Sequence, residues 1–346
     1  MASLRLELPA PVAGRIGTLD ELKGVAILLV ILYHAGGVLG LTNRAHGDVG
    51  VDMFVILSGA GLTLGSASSW GAGRFLLRRF WRIYPAYWIA LTGFLLGDAY
   101  IWNRHFAAAD ILLHFVGIHG WFGDAYALSI NDSFWFVTLI VTLYLLYLPL
   151  RRFVDRPDIL LLVGSLVSIV PAVYYYQTRQ PVEFDHLSLR IPGFFLGLLF
   201  GRLLKAGRLE VSATTALGGA FMVMFYVPFT QNFVFASVWV GSALMVVYAF
   251  LLRPFLSAVS RGALKFLGER SLEIFLIHQP LMREYNGFVH RQLFPNAALT
   301  PWSVTAGMLV ALAVTIAISD GLHRLLERLP MPGRDVPHPG IGLTGR

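Results

Sequence analysis

The stretch Thr18-Leu-Asp-Glu-Leu-Lys23-Gly-Val-Ala-Ile-Leu-Leu-Val-Ile-Leu-Tyr-His34-Ala-Gly-Gly37 decides how the rest of the chain is read. A helix of about 20 apolar residues is long enough to cross a hydrocarbon core roughly 30 Å thick. Here a lysine heads the run and a histidine interrupts it. Thr18 followed by Glu21 is a capping-box pattern, which predicts that the helix starts at the membrane surface. Lys23 and His34 are separated by about 16 Å of helical rise, close to a whole number of turns, so the two side chains share a face. With Lys23 at the interface, His34 lies near mid-membrane. An ionisable ring at that depth is costly and points to function.

Working outward, 56% of the 346 residues are hydrophobic and only 14% are charged, with a mean hydropathy of +0.66. Soluble domains do not have this composition. Ten apolar stretches reach spanning length, at roughly 22–41, 49–65, 83–101, 133–150, 158–176, 187–204, 212–230, 234–252, 266–282 and 303–322. The predicted fold class is an all-α integral membrane protein of about ten transmembrane helices. Residues 1–329 read as one transmembrane unit and the Pro- and Gly-rich stretch 330–346 as a disordered tail. The 49–65 run is short and glycine-rich, which predicts tilting or partial unwinding. Residues 102–132 form the longest connection and contain an amphipathic piece, Asp110-Ile-Leu-Leu-His114-Phe115, suited to the interface or to re-entry. The first 18 residues lack the hydrophobic region of a signal peptide, so span one is expected to stay uncleaved. With no cysteine in the chain, disulfides, a thiol nucleophile and palmitoylation are excluded.

Most of the 27 Lys and Arg residues fall on one side of this topology. Arg74, Arg78, Arg79 and Arg82 precede span three, Arg151, Arg152 and Arg156 follow span four, and Arg202, Lys205 and Arg208 follow span six. Arg44, Arg104, Arg179, Arg190, Arg283 and Arg291 lie on the other side. The positive-inside rule then makes both termini cytoplasmic. The net charge of +7 reflects this orientation, and no nucleic-acid partner is expected.

The polar residues within the spans each have a plain and a functional reading. His34 is either a core histidine bonded to a neighbouring carbonyl or a desolvated, neutral general base. Asp52, in Gly50-Val-Asp52-Met-Phe-Val-Ile-Leu-Ser58-Gly59, is either an interfacial carboxylate facing water or the acid that orients His34. Ser58-Gly59 reads as helix packing, since small residues let membrane helices touch. Arg74, Arg78 and Arg82 share a helical face, with Arg79 and Arg82 at i and i+3. Such a cluster suits polyphosphate, with anionic lipid headgroups and ordinary anchoring as competitors. Glu273 and His278 lie inside span nine, where an unpaired carboxylate is costly. Two histidines and two acids at membrane depth suggest a polar cavity between helices. No close ligand spacing on one helix points to a metal, and none is expected. Arg190 opens span six near the outer surface, placed to meet an anionic or sugar substrate, and Gly193, Gly197 and Gly201 favour close helix packing.

In this order, these elements resemble the integral membrane acyltransferases called the acyltransferase 3 family. Lys23, ten residues and His34 match its basic-residue-to-histidine motif. Gly50, Val51, Asp52, Phe54, Ser58 and Gly59 match the second element, and Arg79, Arg82, Ile83, Tyr84 and Pro85 the third. Trp135 with Tyr144, Arg190 with Gly197, and the Leu-Ile-His ending at His278 are weaker echoes. The chain departs from the family where many members carry a glutamate between the positions of Trp135 and Tyr144; Ile140, Val141 and Thr142 stand there instead. Lysine also replaces the commoner arginine at position 23, supplying a cation without a bidentate grip. The esterase-like domain fused to some members is not expected.

The resemblance implies transfer of an acyl group, acetyl foremost, from acyl-CoA to a hydroxyl of a sugar, glycan or related acceptor. It also implies a multi-pass protein of a bacterial inner membrane, with lipids as its surroundings. In that reading Arg79 and Arg82, supported by Arg78 and Lys23, hold the phosphates of coenzyme A. His34 deprotonates the acceptor or carries the acyl group itself, Asp52 orients it, and His278 assists. Arg190, Trp135 and Glu273 line the acceptor site. Two rivals stay open: a transporter or flippase of lipid-linked sugars, and an acyltransferase for amine or lipid acceptors. The sequence leaves acceptor identity, acyl length and oligomeric state unassigned.

Overall fold

A computed structural model describes residues 3–7, 15–38, 48–65, 70–178, 187, 190–206, 208–212, 241–245, 247–284 and 300–330. All of the expected span 212–230 but Ser212, and residues 331–346 of the expected tail, lie outside the described residues, and span 234–252 is described only in part.

Helices dominate: α1 (Arg15–Val38), α2 (Asp48–Leu64), α3 (Ala72–Ile101), α4 (Ala108–Val116), α5 (Asp124–Ala127) and α6 (Trp135–Leu150), followed by α7 (Pro157–Thr178), α8 (Ile191–Ala206), α9 (Ala258–Glu269), α10 (Ser271–Glu284) and α11 (Pro301–Arg328). Among the described residues, extended structure forms a two-stranded antiparallel ribbon in which β1 (Ser3–Glu7) pairs with β2 (Arg208–Ser212), Arg5 opposite Glu210 and Glu7 opposite Arg208. It ties the start of the chain to the segment after α8.

Several expected boundaries move. α1 begins at Arg15, so Thr18 lies inside the helix and is not its cap. Glu21 does not complete a capping box; its carboxylate accepts from Arg253 Nε at 2.7 Å and from Tyr248 Oη at 2.9 Å. A cation and a phenol outcompete the backbone N–H for that carboxylate. α3 starts at Ala72, which carries the whole arginine cluster on its first turns rather than ahead of them. The ninth expected span breaks at Arg270 into α9 and α10, and Arg270 turns its Nε to Asp320 of α11 at 2.6 Å.

α2 is a continuous helix rather than partly unwound. Its glycines serve contact. A Cβ on Gly197 of α8 would sit 2.1 Å from the Ile56 carbonyl oxygen of α2, and one on Gly59 would sit 2.5 Å from that of Phe194. Backbones this close exclude any side chain, as the small-residue reading of both helices implied. The same device joins α1 to α9, where a Cβ on Gly24 would meet the Leu264 carbonyl oxygen at 2.0 Å.

Among the described residues, Trp135–Phe153 and Trp302–Arg328 are long and apolar enough to cross a membrane, with Val49–Leu64 and Pro157–Val167 as shorter apolar helices. α11 has its polarity turned inside out. Leu309, Val310, Val314 and Ile318 face outward, whereas Thr315 and Ser319 are fully buried. That pattern fits a helix with hydrocarbon on its outer side and polar partners within. The core between α1, α2, α3, α6, α8 and α10 is aromatic and aliphatic, with the Phe136 and Phe275 rings 4.5 Å apart at a 38° tilt and Phe275 buried beside His278.

Candidate active site

α1 and α10 bring two of the sequence candidates together. The ring centres of His34 and His278 are 5.0 Å apart, with the planes inclined at 56°. His278 is fully buried, and its Nδ1 lies 2.9 Å from the Phe275 carbonyl oxygen and 3.1 Å from that of Ile274. Carbonyl oxygens only accept, so Nδ1 carries the hydrogen and Nε2 carries the lone pair. That Nε2 is buried with no hydrogen-bond partner. His34 is half-buried, with Tyr33 edge-on at 5.0 Å. A neutral imidazole with an unpartnered lone pair beside a second imidazole can accept a proton from a hydroxyl and pass it on.

Asp52 and Arg190 meet at the α2–α8 contact. Arg190 Nη1 donates to Asp52 Oδ1 at 2.8 Å, and neither side chain is exposed. The guanidinium also lies 5.1 Å from the centre of the Trp135 ring, the first residue of α6. Arg190, expected near the outer surface and open to substrate, is therefore buried and neutralised. The reason is the glycine contact of the two helices, which draws the residue preceding α8 against the carboxylate of α2. Arg190 thus links the buried Asp52 to the half-buried Trp135.

The basic cluster lies on the opening turns of α3. Arg78 covers Trp70 at 4.2 Å, and Arg79 lies 5.2 Å from the Tyr144 ring of α6 and 5.5 Å from Phe75. Arg78 Nε and Nη2 and Arg79 Nε are buried without hydrogen-bond partners. The charge of Arg82 acts on both Lys23 and Arg79, which places all three in one neighbourhood. Lys23 is itself bonded to Asp20 Oδ1 at 2.8 Å, so its charge is shared. Buried guanidinium nitrogens lacking acceptors, among cations that repel each other, fit a polyanion such as a diphosphate.

Glu273, a candidate for substrate contact, instead accepts from His323 Nδ1 of α11 at 3.0 Å. Together with Arg270–Asp320 this forms a polar seam between α10 and α11, extended by Arg324 on Asp320 at 2.8 Å. The sequence motifs assign neither His323 nor Arg324 a role. The spacing of Asp320, His323 and Arg324 on a single helical face was the available signal.

The connection over residues 102–132 holds a histidine pair that the motifs did not predict. His114 of α4 and His119 stack at 3.8 Å with the planes 8° apart, both fully buried. Burial, together with the His114 ring, pushes the His119 imidazole down to about 3, and burial lowers His114 as well. Both rings are neutral at physiological pH. Tyr84 Oη donates to the Val116 carbonyl at 2.6 Å and Trp88 Nε1 to that of Phe115 at 2.8 Å, so α3 holds this connection in place.

With this geometry in view, comparison with known proteins is informative. The family described as Acyltransferase domain, Acyl_transf_3, matches residues 16–320. A protein of Acidianus two-tailed virus, provisionally named an acetyltransferase, is 28% identical over 328 residues, covering 90% of this chain and 92% of its own. A protein of Komagataeibacter xylinus, provisionally named a membrane-bound transacylase, is 32% identical over 119 residues, 34% of this chain and 27% of its own. No solved structure matches.

Proposed function

The chain belongs to the acyltransferase domain family of membrane proteins, and we propose that it moves an acyl group, acetyl foremost, from acyl-CoA to a hydroxyl of a sugar, glycan or related acceptor. One observation carries the reading furthest: the apposition of His34 and His278, with the Nε2 of His278 left as a buried lone pair. Acyl transfer to a hydroxyl needs a base at the point where the hydroxyl meets the thioester carbonyl. His34 takes the acceptor proton and His278 stands beside it as the second acceptor. Asp52, held in place by Arg190, orients the imidazole in this proposal. As the oxygen adds to the carbonyl carbon, the thioester C–S bond breaks and the coenzyme A thiolate leaves, taking up the proton.

On the donor side, Arg78, Arg79 and Arg82 are the phosphate ligands of the proposal, with Lys23 in support. The orphaned guanidinium nitrogens of Arg78 and Arg79 support the assignment. Trp135 is proposed as the acceptor-side wall, with Arg190 and Glu273 acting behind it through Asp52 and His323. About ten spans with both termini in the cytosol remain our topology, in a bacterial inner membrane. The Glu21–Arg253 and Arg202–Asp155 ion pairs and the β1–β2 ribbon support it, because each joins segments assigned to the same side.

The test is mass spectrometry of cell-envelope glycans from cells with and without the protein. Loss of an acyl mass in the deletion supports the reading. Unchanged glycan masses, with substrate uptake into proteoliposomes containing the purified protein and no chemical change, would establish the transporter instead.

A further inference from the structure

α10 contains Pro280, which has no N–H. In an uninterrupted helix the N–H of residue 280 would satisfy the carbonyl of Leu276, so the proline orphans that carbonyl. The structure supplies a substitute from far away in sequence: Asn131 Nδ2 donates to Leu276 O at 3.3 Å. The other end of the same amide is also engaged, since Asn131 Oδ1 accepts the Ser133 N–H at 2.9 Å in an Asx-type turn. Ser133 Oγ donates to Gln279 Oε1, and Gln279 Nε2 donates to Asp132 Oδ2 at 3.1 Å. Asn131 and Ser133 are almost wholly buried. Three consecutive side chains ahead of α6 thus grip positions 276 and 279 of α10, on either side of His278.

His278 depends on that turn. Its Nδ1–H is given to Ile274 O and Phe275 O, the carbonyls immediately below, and that bond leaves Nε2 as the lone pair beside His34. A relaxed turn would free the ring to rotate or to exchange tautomers.

We propose that Asn131-Asp132-Ser133 is a positioning element that replaces the hydrogen bond lost at Pro280 and, with Gln279, holds His278 as its Nδ1-protonated tautomer with Nε2 presented beside His34. The structural part stands on the hydrogen bonds alone; its catalytic consequence rests on the acyl-transfer reading. Proline here opens the helix, and an outside amide closes it again in a fixed geometry.

The test is 15N NMR of histidine-labelled full-length protein in detergent, with the His278 signals assigned through His278→Gln. Wild type should show one His278 species, Nδ1 protonated and Nε2 unprotonated. Asn131→Ala should show mixed tautomers, and acyl transfer about 10- to 100-fold slower at unchanged acyl-CoA affinity, the scale expected for a misplaced reacting group. Asn131→Ala combined with Pro280→Ala returns an N–H to Leu276. It should restore the melting temperature and, because the backbone then closes the turn itself, the single tautomer and most of the rate as well. An unchanged His278 spectrum in Asn131→Ala overturns the proposal. So does a double variant that regains its melting temperature yet keeps mixed tautomers and the slow rate, which would show that closing the Leu276 carbonyl does not hold the ring. Absence of acyl-CoA-dependent transfer in wild type would overturn the functional reading alone, leaving the spectra to decide this one.

Discussion

Asp52 and Arg190, 138 residues apart in the chain, meet at 2.8 Å with neither side chain exposed. A buried ion pair contributes little net stability, but removing one partner strands a charge and costs about 3–5 kcal/mol. Asp52→Asn and Arg190→Met should each lower the thermal melting point sharply. The double variant Asp52→Leu/Arg190→Met should regain most of that loss. If Asp52 also serves His34, the double variant melts like wild type yet remains slow. Equal recovery of rate and stability would reduce the pair to a structural tie.

Removing one donor of the arginine cluster should weaken acyl-CoA binding, because hydrogen bonds to charged groups contribute about 1.5–3 kcal/mol each. Arg79→Ala is expected to raise the acyl-CoA dissociation constant by about 10- to 100-fold on that scale. Arg79→Lys should recover only part of it, since an ammonium lacks the planar fork. Calorimetry in detergent measures both. Unchanged affinity would return the cluster to membrane anchoring.

The α2–α8 contact predicts a sharp size limit. Gly197→Ala places a methyl 2.1 Å from the Ile56 carbonyl oxygen, so the helices must separate. The expected loss is about 1–3 kcal/mol or more, the usual range for overpacking, read as a lower melting temperature. Gly61→Ala, on α2 with nothing within 4 Å, should be neutral.

The connection over residues 102–132 predicts a pH dependence. His119 sits at about 3 in the folded protein, against 6.5 as its ordinary value. Between those values the unfolded chain binds a proton that the folded chain refuses, so stability rises with pH across the window and is flat above it. Stability should therefore fall from about pH 6.5 toward pH 3, by on the order of 1 kcal/mol per pH unit crossed. His119→Phe should flatten that slope. An unaltered slope would show that other groups set it.

How much of this was legible in the sequence divides along physical lines. Helical class, the small-residue packing of Gly59 against Gly197, and the family were readable because they depend on local composition and on motif order. The partners of the buried charges were not. Nothing near Arg190 in sequence indicates Asp52, and nothing near Glu273 indicates His323, because a buried ion finds its counter-ion through tertiary packing rather than through spacing. The capping-box reading of Thr18 and Glu21 failed for the same reason: Arg253, distant in sequence, took the carboxylate. Pro280 was visible from the start, but the donor that replaces its missing N–H comes from a loop 145 residues away.

The central claim is that His34, beside His278, drives acyl transfer from coenzyme A to a hydroxyl. The chain contains no cysteine, so thiol released by purified protein comes from coenzyme A alone. The most direct measurement is acceptor-dependent thiol release from acetyl-CoA, wild type against His34→Ala, both shown to be folded by their melting curves. General-base removal predicts a rate lowered by about 10²- to 10⁴-fold with acetyl-CoA affinity retained. A His34→Ala protein that releases thiol and acylates the acceptor at the wild-type rate would contradict the account.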